Sequence, residues 1–427
     1  MDAQPLASPD PASTLPSALY PRHLRTALTA ALADTPVVCL LGPRQCGKST
    51  LARLIDSRRA YVSLDDDEVL AAALGDPVRF VASLAGSVIL DEVQRAPTLL
   101  RAIKMAVDRD RRHGRFLLTG SANLLLLPQI GDSLAGRSEF VLLHPLTEAE
   151  KERRPGAFLR TFLAGRLVGK IEADLGEPHP NPAERLVGGG YPEPLRRTPA
   201  RARQWHRQYL RTVIERDVQD IARVRDADEL ARLLEALALR NAQLLNVTGL
   251  ANDLDLRRET VDHYLAILER LFLVRRLPAW HRNDAKRLIK TPKVYVLDSG
   301  LAATLAGLQA DDWITQRDRF GHLLEAFVVQ QLIAQAGWTD PDLRFWHYRD
   351  KDQVEVDLVI TRGRATWGVE VKSSSVVTST AGQGLRRLAE QCGKHFQRGI
   401  VLHSGVHTLP MADKRFLAVP LAHLWSM

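Results

Sequence analysis

The 427-residue chain has no run of about 18 apolar residues, so no stretch reads as a membrane-spanning helix. Its three cysteines, Cys39, Cys46 and Cys392, are too few and too scattered for a disulfide framework or a thiolate zinc site. The first 17 residues are rich in Pro, Ala and Ser and lack the basic start and apolar stretch of a secretory signal. A cytoplasmic protein with no membrane partner is expected. What is present is ordinary for a soluble globular chain, 45% hydrophobic and 25% charged, with length for about three domains. The net charge of +8 leans toward polyanions, but many nucleotide-binding proteins are as basic, so the position of the charge matters more than its sum.

An apolar run, Val37-Val38-Cys39-Leu40-Leu41, is followed by Gly42-Pro43-Arg44-Gln45-Cys46-Gly47-Lys48-Ser49 and then by Thr50 and an amphipathic stretch to Ile55. The order is strand, glycine loop, helix. The spacing G-x-x-x-x-G-K-[ST] lets the backbone curl so that successive N–H groups point at phosphate oxygens at a helix N-terminus. Lys48 would reach the β- and γ-phosphates and the Ser49 hydroxyl would ligate Mg²⁺. A plain glycine turn would not require Lys-Ser after the second glycine.

Further strands are expected at Tyr61 to Leu64, Ser87 to Leu90, Arg115 to Thr119 and Glu139 to Leu143, alternating with helical segments. This predicts an α/β fold with a mostly parallel sheet and nucleotide at the carboxyl ends of its strands. The third strand ends in Asp91-Glu92: Asp91 would hold Mg²⁺ and Glu92 would orient the attacking water. Ser121 and Asn123, at the end of the fourth strand, are candidates for contact with the γ-phosphate or the water, with a turn or cap as the equal alternative. Arg137 could neutralise developing phosphate charge within the subunit or across an interface.

These residues resemble the AAA-type ATPases of bacteria and archaea that pair an N-terminal P-loop domain with a C-terminal domain labelled DUF4143. The matching features run in order along nearly the whole chain: Tyr20-Pro21-Arg22, the Gly42 to Ser49 loop, Ile89 to Gln94, Thr119-Gly120-Ser121, Leu134 to Arg137 with Pro145-Leu146, Gly189 to Glu193, and Lys293-Val294-Tyr295 with Asp298 to Leu301. The resemblance implies an ATPase core using ATP and Mg²⁺, a winged-helix segment and a nuclease-like C-terminal fold. Residues 151–181, with Pro and Gly clusters, depart from that pattern as a local elaboration.

In the middle of the chain, Thr248 to Leu254 and Arg258 to Leu271 read as helix-turn-helix, with wing strands at Leu273 to Leu277 and Pro292 to Leu297. Residues 271–293 hold Arg275, Arg276, Arg282, Lys286, Arg287, Lys290 and Lys293 against one acid, Asp284. A basic wing suits phosphate contacts, so nucleic acid, DNA before RNA, is an expected partner. Packing between domains is the alternative.

Toward the C-terminus, Asp357, twelve intervening residues and Glu370-Val371-Lys372 resemble the D…(D/E)-x-K signature of the restriction-endonuclease-like fold, and Glu325 matches its extra acid on the first helix. Asp357 and Glu370 would hold a second divalent metal, Mg²⁺ or Mn²⁺, with Lys372 tuning the water and Glu325 completing the shell. The alternative is an exposed hairpin with paired charges. The expected organisation is a tail at 1–19, a P-loop ATPase domain at 20–150, a helical linker or lid at 151–225, a winged-helix segment at 226–297 and a nuclease-like α+β domain at 298–427. The function expected is an ATPase that engages nucleic acid, or an ATP-dependent switch with an inactive nuclease fold, or an ATP-gated nuclease. Assembly into a homo-oligomer is left open.

Overall fold

The computed structural model describes residues 19–121, 134–167, 182–217, 226–282, 291–378 and 381–427. The expected strands form. β1 (Val37–Leu41), β2 (Ala60–Ser63), β3 (Val88–Asp91), β4 (Phe116–Gly120) and β5 (Ser138–Leu142) make a parallel sheet in the order β2-β3-β4-β1-β5. β1, β3 and β4 are buried along their whole length, which is why they read as continuous apolar runs. Side-chain alternation divides β1 between two cores: Val37, Cys39 and Leu41 pack with Phe116, Leu118 and Leu90, while Val38 and Leu40 face Leu28, Leu51, Leu117 and Ile89. The helix Leu24–Asp34 covers the second face.

In the middle, the helices Val247–Leu254 and Arg258–Arg270 are followed by a hairpin of β7 (Val274–Leu277) and β8 (Lys293–Val296). With β6 (Gln243–Leu244) it forms an antiparallel sheet in the order β6-β8-β7. The C-terminal part opens with the long helix Arg317–Thr339. It continues with β9 (Arg344–Arg349), β10 (Glu355–Arg362), β11 (Ala365–Lys372), β12 (Phe396–His403), β13 (Leu409–Pro410) and β14 (Phe416–Pro420), in the order β13-β14-β12-β11-β10-β9. The hairpin β10–β11 forms as expected and β9 joins it antiparallel, whereas β11, β12 and β14 run parallel.

Two seams hold these parts together. One apolar cluster contains Phe158, Leu233, Val261, Tyr295, Phe320 and Trp425, so the middle and C-terminal parts share a core. The chain after β7 is stitched to β9, where Trp280 N–H donates to His347 O at 2.6 Å and His347 N–H to Pro278 O at 3.0 Å. The long helix, in turn, is pinned to the N-terminal part by two buried glutamines: Gln331 Oε1 accepts Glu148 N–H at 2.8 Å and Gln335 Oε1 accepts Leu159 N–H at 2.9 Å.

Within the basic stretch, Arg275 and Lys293 turn inward, whereas Arg276 and Arg282 are exposed. Arg275 is half-buried with its guanidinium on Gln330 Oε1 at 3.0 Å, and burial lowers its pKa to about 10. The Arg276 Nε donates to Glu269 at 3.0 Å, and Lys293 is buried. Arg282 is exposed, and Lys286, Arg287 and Lys290 lie outside the described residues. A count of charges along the chain cannot distinguish cations that point into a domain seam from cations that face water.

Candidate nucleotide site and the C-terminal acids

At the carboxyl end of β1 the chain turns through Gly42 at φ +154°, where a Cβ would lie 2.1 Å from Leu143 O, so only glycine fits. Gly47, at φ +101°, is the left-handed residue that opens the helix Lys48–Ile55. The loop between them thus presents its backbone at a helix N-terminus. Lys48 is buried, with Nζ on Pro43 O at 2.8 Å. Ser49 Oγ lies 3.0 and 2.9 Å from the two carboxylate oxygens of Asp91. The structure therefore brings together the hydroxyl and the carboxylate expected to share a Mg²⁺ ion, an all-oxygen set that suits this hard cation.

Asp91 also accepts from Tyr61 OH and Thr119 Oγ1. Burial, then the bond to Asp91, raises the Tyr61 pKa, so its proton stays on the phenol. Glu92 has a left-handed backbone, φ 57°, and the Gln94 amide bridges its carboxylate to Ser121 Oγ, the latter at 2.9 Å. Arg44, Gln45, Cys46 and Thr50 line, with Lys48, Ser49 and Glu92, a cleft of about 1110 Å³ whose far wall comes from the middle of the chain, at Pro192, Glu193, Arg196, Arg197 and Trp205.

One expected residue is not brought here, and another is not described. Asn123 lies outside the described residues. Arg137 precedes β5 at the opposite end of the sheet, its carbonyl accepting Val37 N–H, and its guanidinium pairs with Asp108. The length of β1, roughly 16 Å, separates it from the phosphate loop of its own chain.

Several residues of the site carried no role in the sequence reading. Arg22 donates through Nη1 to Cys46 O in the loop at 2.6 Å, through Nη2 to His144 O at 2.5 Å and through Nε to Glu150 at 3.1 Å. Glu150 is the N3 acid of the capping box that opens the helix Glu148–Lys151. The Tyr209 hydroxyl donates to Arg44 O at 3.3 Å and meets Tyr191 OH at 3.0 Å. Tyr61, Gln94 and Thr119 complete the set. The only sequence signal for Arg22 was its place in Tyr20-Pro21-Arg22.

Of the C-terminal acids, Glu325, Glu355 and Asp357 gather around a lysine and Glu370 does not join them. Lys293 from β8 inserts its Nζ 2.8 Å from Glu325, 3.5 Å from Glu355 and 4.0 Å from Asp357. Glu370 instead caps the helix Gln383–Cys392, taking N–H groups from Gly382 at 3.2 Å and Leu385 at 3.1 Å. Lys372 is half-exposed, 3.8 Å from Glu370. Among the described residues no group of three or more His, Cys, Asp or Glu is arranged to hold a metal. Burial and then Asp357 push Glu325 up to about 8, against the pull of Lys293 and Tyr295. Burial opposes the charge on Lys293, but the surrounding acids outweigh it and raise its pKa. Three carboxylates face two cations, Lys293 and Arg349, and Glu325 is the acid that keeps a proton.

The parallel sheet and its glycine loop define a P-loop NTPase-like domain. The family model for an AAA domain matches residues 34–151, that for a domain of unknown function (DUF8612) matches residues 180–312, and that for a second (DUF4143) matches residues 320–424. Over 400 residues the chain is 30% identical to "Uncharacterized protein Rv2008c" of Mycobacterium tuberculosis and equally to "Uncharacterized protein Mb2031c" of Mycobacterium bovis, covering 93% of this chain and 83% of each relative. The chain belongs to the family of these two mycobacterial proteins. Among solved structures, similarity reaches the Walker-type ATPase PABY2304 of Pyrococcus abyssi, at 18% identity and TM-score 0.40 over 66% of this chain and 94% of that one. It also reaches the RuvB Holliday junction branch migration motor of Thermotoga maritima, at 18% identity and TM-score 0.29 over 60% and 89%. No helix among the described residues is long and apolar enough to cross a membrane.

Proposed function

We propose that this chain is a Mg²⁺-dependent ATPase of the AAA type whose nucleotide lies between the phosphate loop and the segment 192–205. The observation that carries this reading is Ser49 Oγ lying on both oxygens of Asp91, beside Lys48 and at the mouth of a cleft large enough for a nucleotide. ATP and its Mg²⁺ supply the phosphoryl chemistry when bound. The loop N–H groups and Lys48 would hold the phosphates, and Ser49 and Asp91 the ion. Glu92 would orient water once the Gln94 amide yields it, and Ser121, tied to the same amide, would read the γ-phosphate end.

The test is ATP binding and turnover with Mg²⁺ by purified parent, Lys48→Ala and Glu92→Gln. Lys48→Ala should lose binding, and Glu92→Gln should bind ATP but turn it over at least 100-fold more slowly, the size of a general-base contribution. A Lys48→Ala protein that hydrolyses ATP at the parental rate would sink the proposal.

The hairpin carrying Asp357 and Glu370 behind a first helix carrying Glu325 supports a restriction-endonuclease-like fold for the C-terminal part, used as a binding or structural module. The two helices and hairpin at 247–296 support a winged-helix reading. Contact with nucleic acid would fall to Arg282 and its neighbours, and a part for Arg137 in hydrolysis would require a second copy of the chain.

A further inference from the structure

We infer that Lys293 is the resident cation of the C-terminal acidic set, and that this set is an ion clamp joining the β7–β8 hairpin to the C-terminal domain instead of a divalent metal centre. The ammonium arrives from a different part of the chain than the acids it meets. Lys293 is 3% exposed, on a strand that pairs with β6 and β7, whereas Glu325 sits on the long helix and Glu355 and Asp357 on β10.

The acids also accept from other fixed donors. Glu325 accepts Tyr295 OH at 2.8 Å, Glu355 accepts Arg349 Nη1 at 2.6 Å, and Asp357 accepts Val371 N–H at 2.8 Å. Glu370, which the D…(D/E)-x-K pattern would place opposite Asp357, spends both oxygens on backbone N–H groups. The helix it caps is pressed close: a Cβ at Gly384 would stand 1.9 Å from Glu355 O and 2.7 Å from Glu370 Oε1. A magnesium-like ion needs several oxygens at about 2.1 Å and usually keeps water ligands. A lysine ammonium needs only acceptors near 2.8 Å, and one is delivered.

Two measurements on full-length protein test this. In nucleotide-free Mn²⁺ titrations followed by electron paramagnetic resonance, parent, Asp357→Asn and Glu325→Gln should give superimposable isotherms up to about 1 mM, the range of weak carboxylate sites. One bound Mn²⁺ per chain that disappears in either amide variant would overturn the inference. In thermal melts, Lys293→Met should lose several degrees, and adding Asp357→Asn should restore most of the loss, because the carboxylate left behind is what destabilises. Additive losses, or a Lys293→Met protein that melts like the parent, would equally overturn it. If Lys293→Met does not fold, recovery of folded protein on adding Asp357→Asn gives the same answer, and continued failure counts against the clamp.

Discussion

Replacing Arg22 with Met removes a guanidinium that ties the phosphate loop to the start of the helix Glu148–Lys151. Its side chain is 11% exposed and that of its partner Glu150 only 1%. Taking one member from a buried pair costs about 3 to 5 kcal/mol, because the charge left behind is uncompensated. Glu150 would keep its bonds from His23 N–H at 3.0 Å and Thr147 N–H at 2.9 Å, so the low end, about 3 kcal/mol, applies. At about 2 to 4 °C per kcal/mol for a domain of this size, the melting temperature should fall by about 6 to 12 °C. The Cys46 carbonyl would also lose a charge-assisted donor, worth at least about 1.5 kcal/mol, so a fluorescent ATP analogue should bind about tenfold more weakly. Melting and equilibrium binding are measured on the same preparation. A drop in melting temperature with unchanged affinity would refute the link to the loop, and a change in neither would refute the burial argument itself.

Glu325 supplies a pH test. Its folded-state pKa, raised to about 8, lies above the value near 4.3 of an unfolded chain, so the folded form holds a proton that the unfolded form has released, and stability falls as pH rises between the two. The groups facing it are Lys293, Tyr295 and Asp357, with Glu355 on the same Lys293 ammonium. The difference in melting temperature, Glu325→Gln minus parent, should therefore grow from pH 5 to pH 8 and level off above; a flat difference would show that Glu325 titrates normally. Hydrogen exchange read by mass spectrometry should slow at residues 190–209 on adding ATP with Mg²⁺, while the N–H groups of Glu148 and Leu159, held by Gln331 and Gln335, exchange as before. Equal changes at both places would sink that division.

The sheet was legible because each of β1, β3 and β4 is an apolar run bounded by turn residues, and the loop was legible because the glycines, Lys48 and Ser49 lie within eight consecutive positions. Asp91 was legible as the acid at a strand end. Its other partners were not, since Tyr61 and Thr119 come from neighbouring strands and their meeting depends on a register that no local pattern encodes. Arg22 was hidden for the same reason: its acceptors lie 24, 122 and 128 positions away. At the C-terminal acids, the spacing of the signature did not reveal the partners. Regular pairing with β11 begins only at Leu358↔Val369, and β10 changes register against β9 between Val356 and Val359. Asp357, in that irregular stretch, takes the N–H of Val371 instead of facing Glu370 across a metal, and Lys293 comes from a strand 64 positions earlier.

The two attachments of the phosphate loop differ in what it costs to break them. On one side, Cys46 O is held through Arg22 and Glu150 to a helix whose first N–H group is locked by Gln331, and the next turn of the long helix holds Leu159 through Gln335. Each such buried amide bond, once opened without a new partner, costs about 1 to 3 kcal/mol, and the apolar packing around them must open too. On the other side, Arg44 O meets Tyr209 at 3.3 Å, beside Trp205 at the wall of an open cleft. A phosphate that draws in the loop gains its own hydrogen bonds there and can offset the loss of one long contact, but not of the buried seam. Movement driven by nucleotide is therefore expected in the segment 190–209, with the C-terminal domain carried along by the ATPase sheet, and Lys293 makes the hairpin at β7–β8 part of that same carried body.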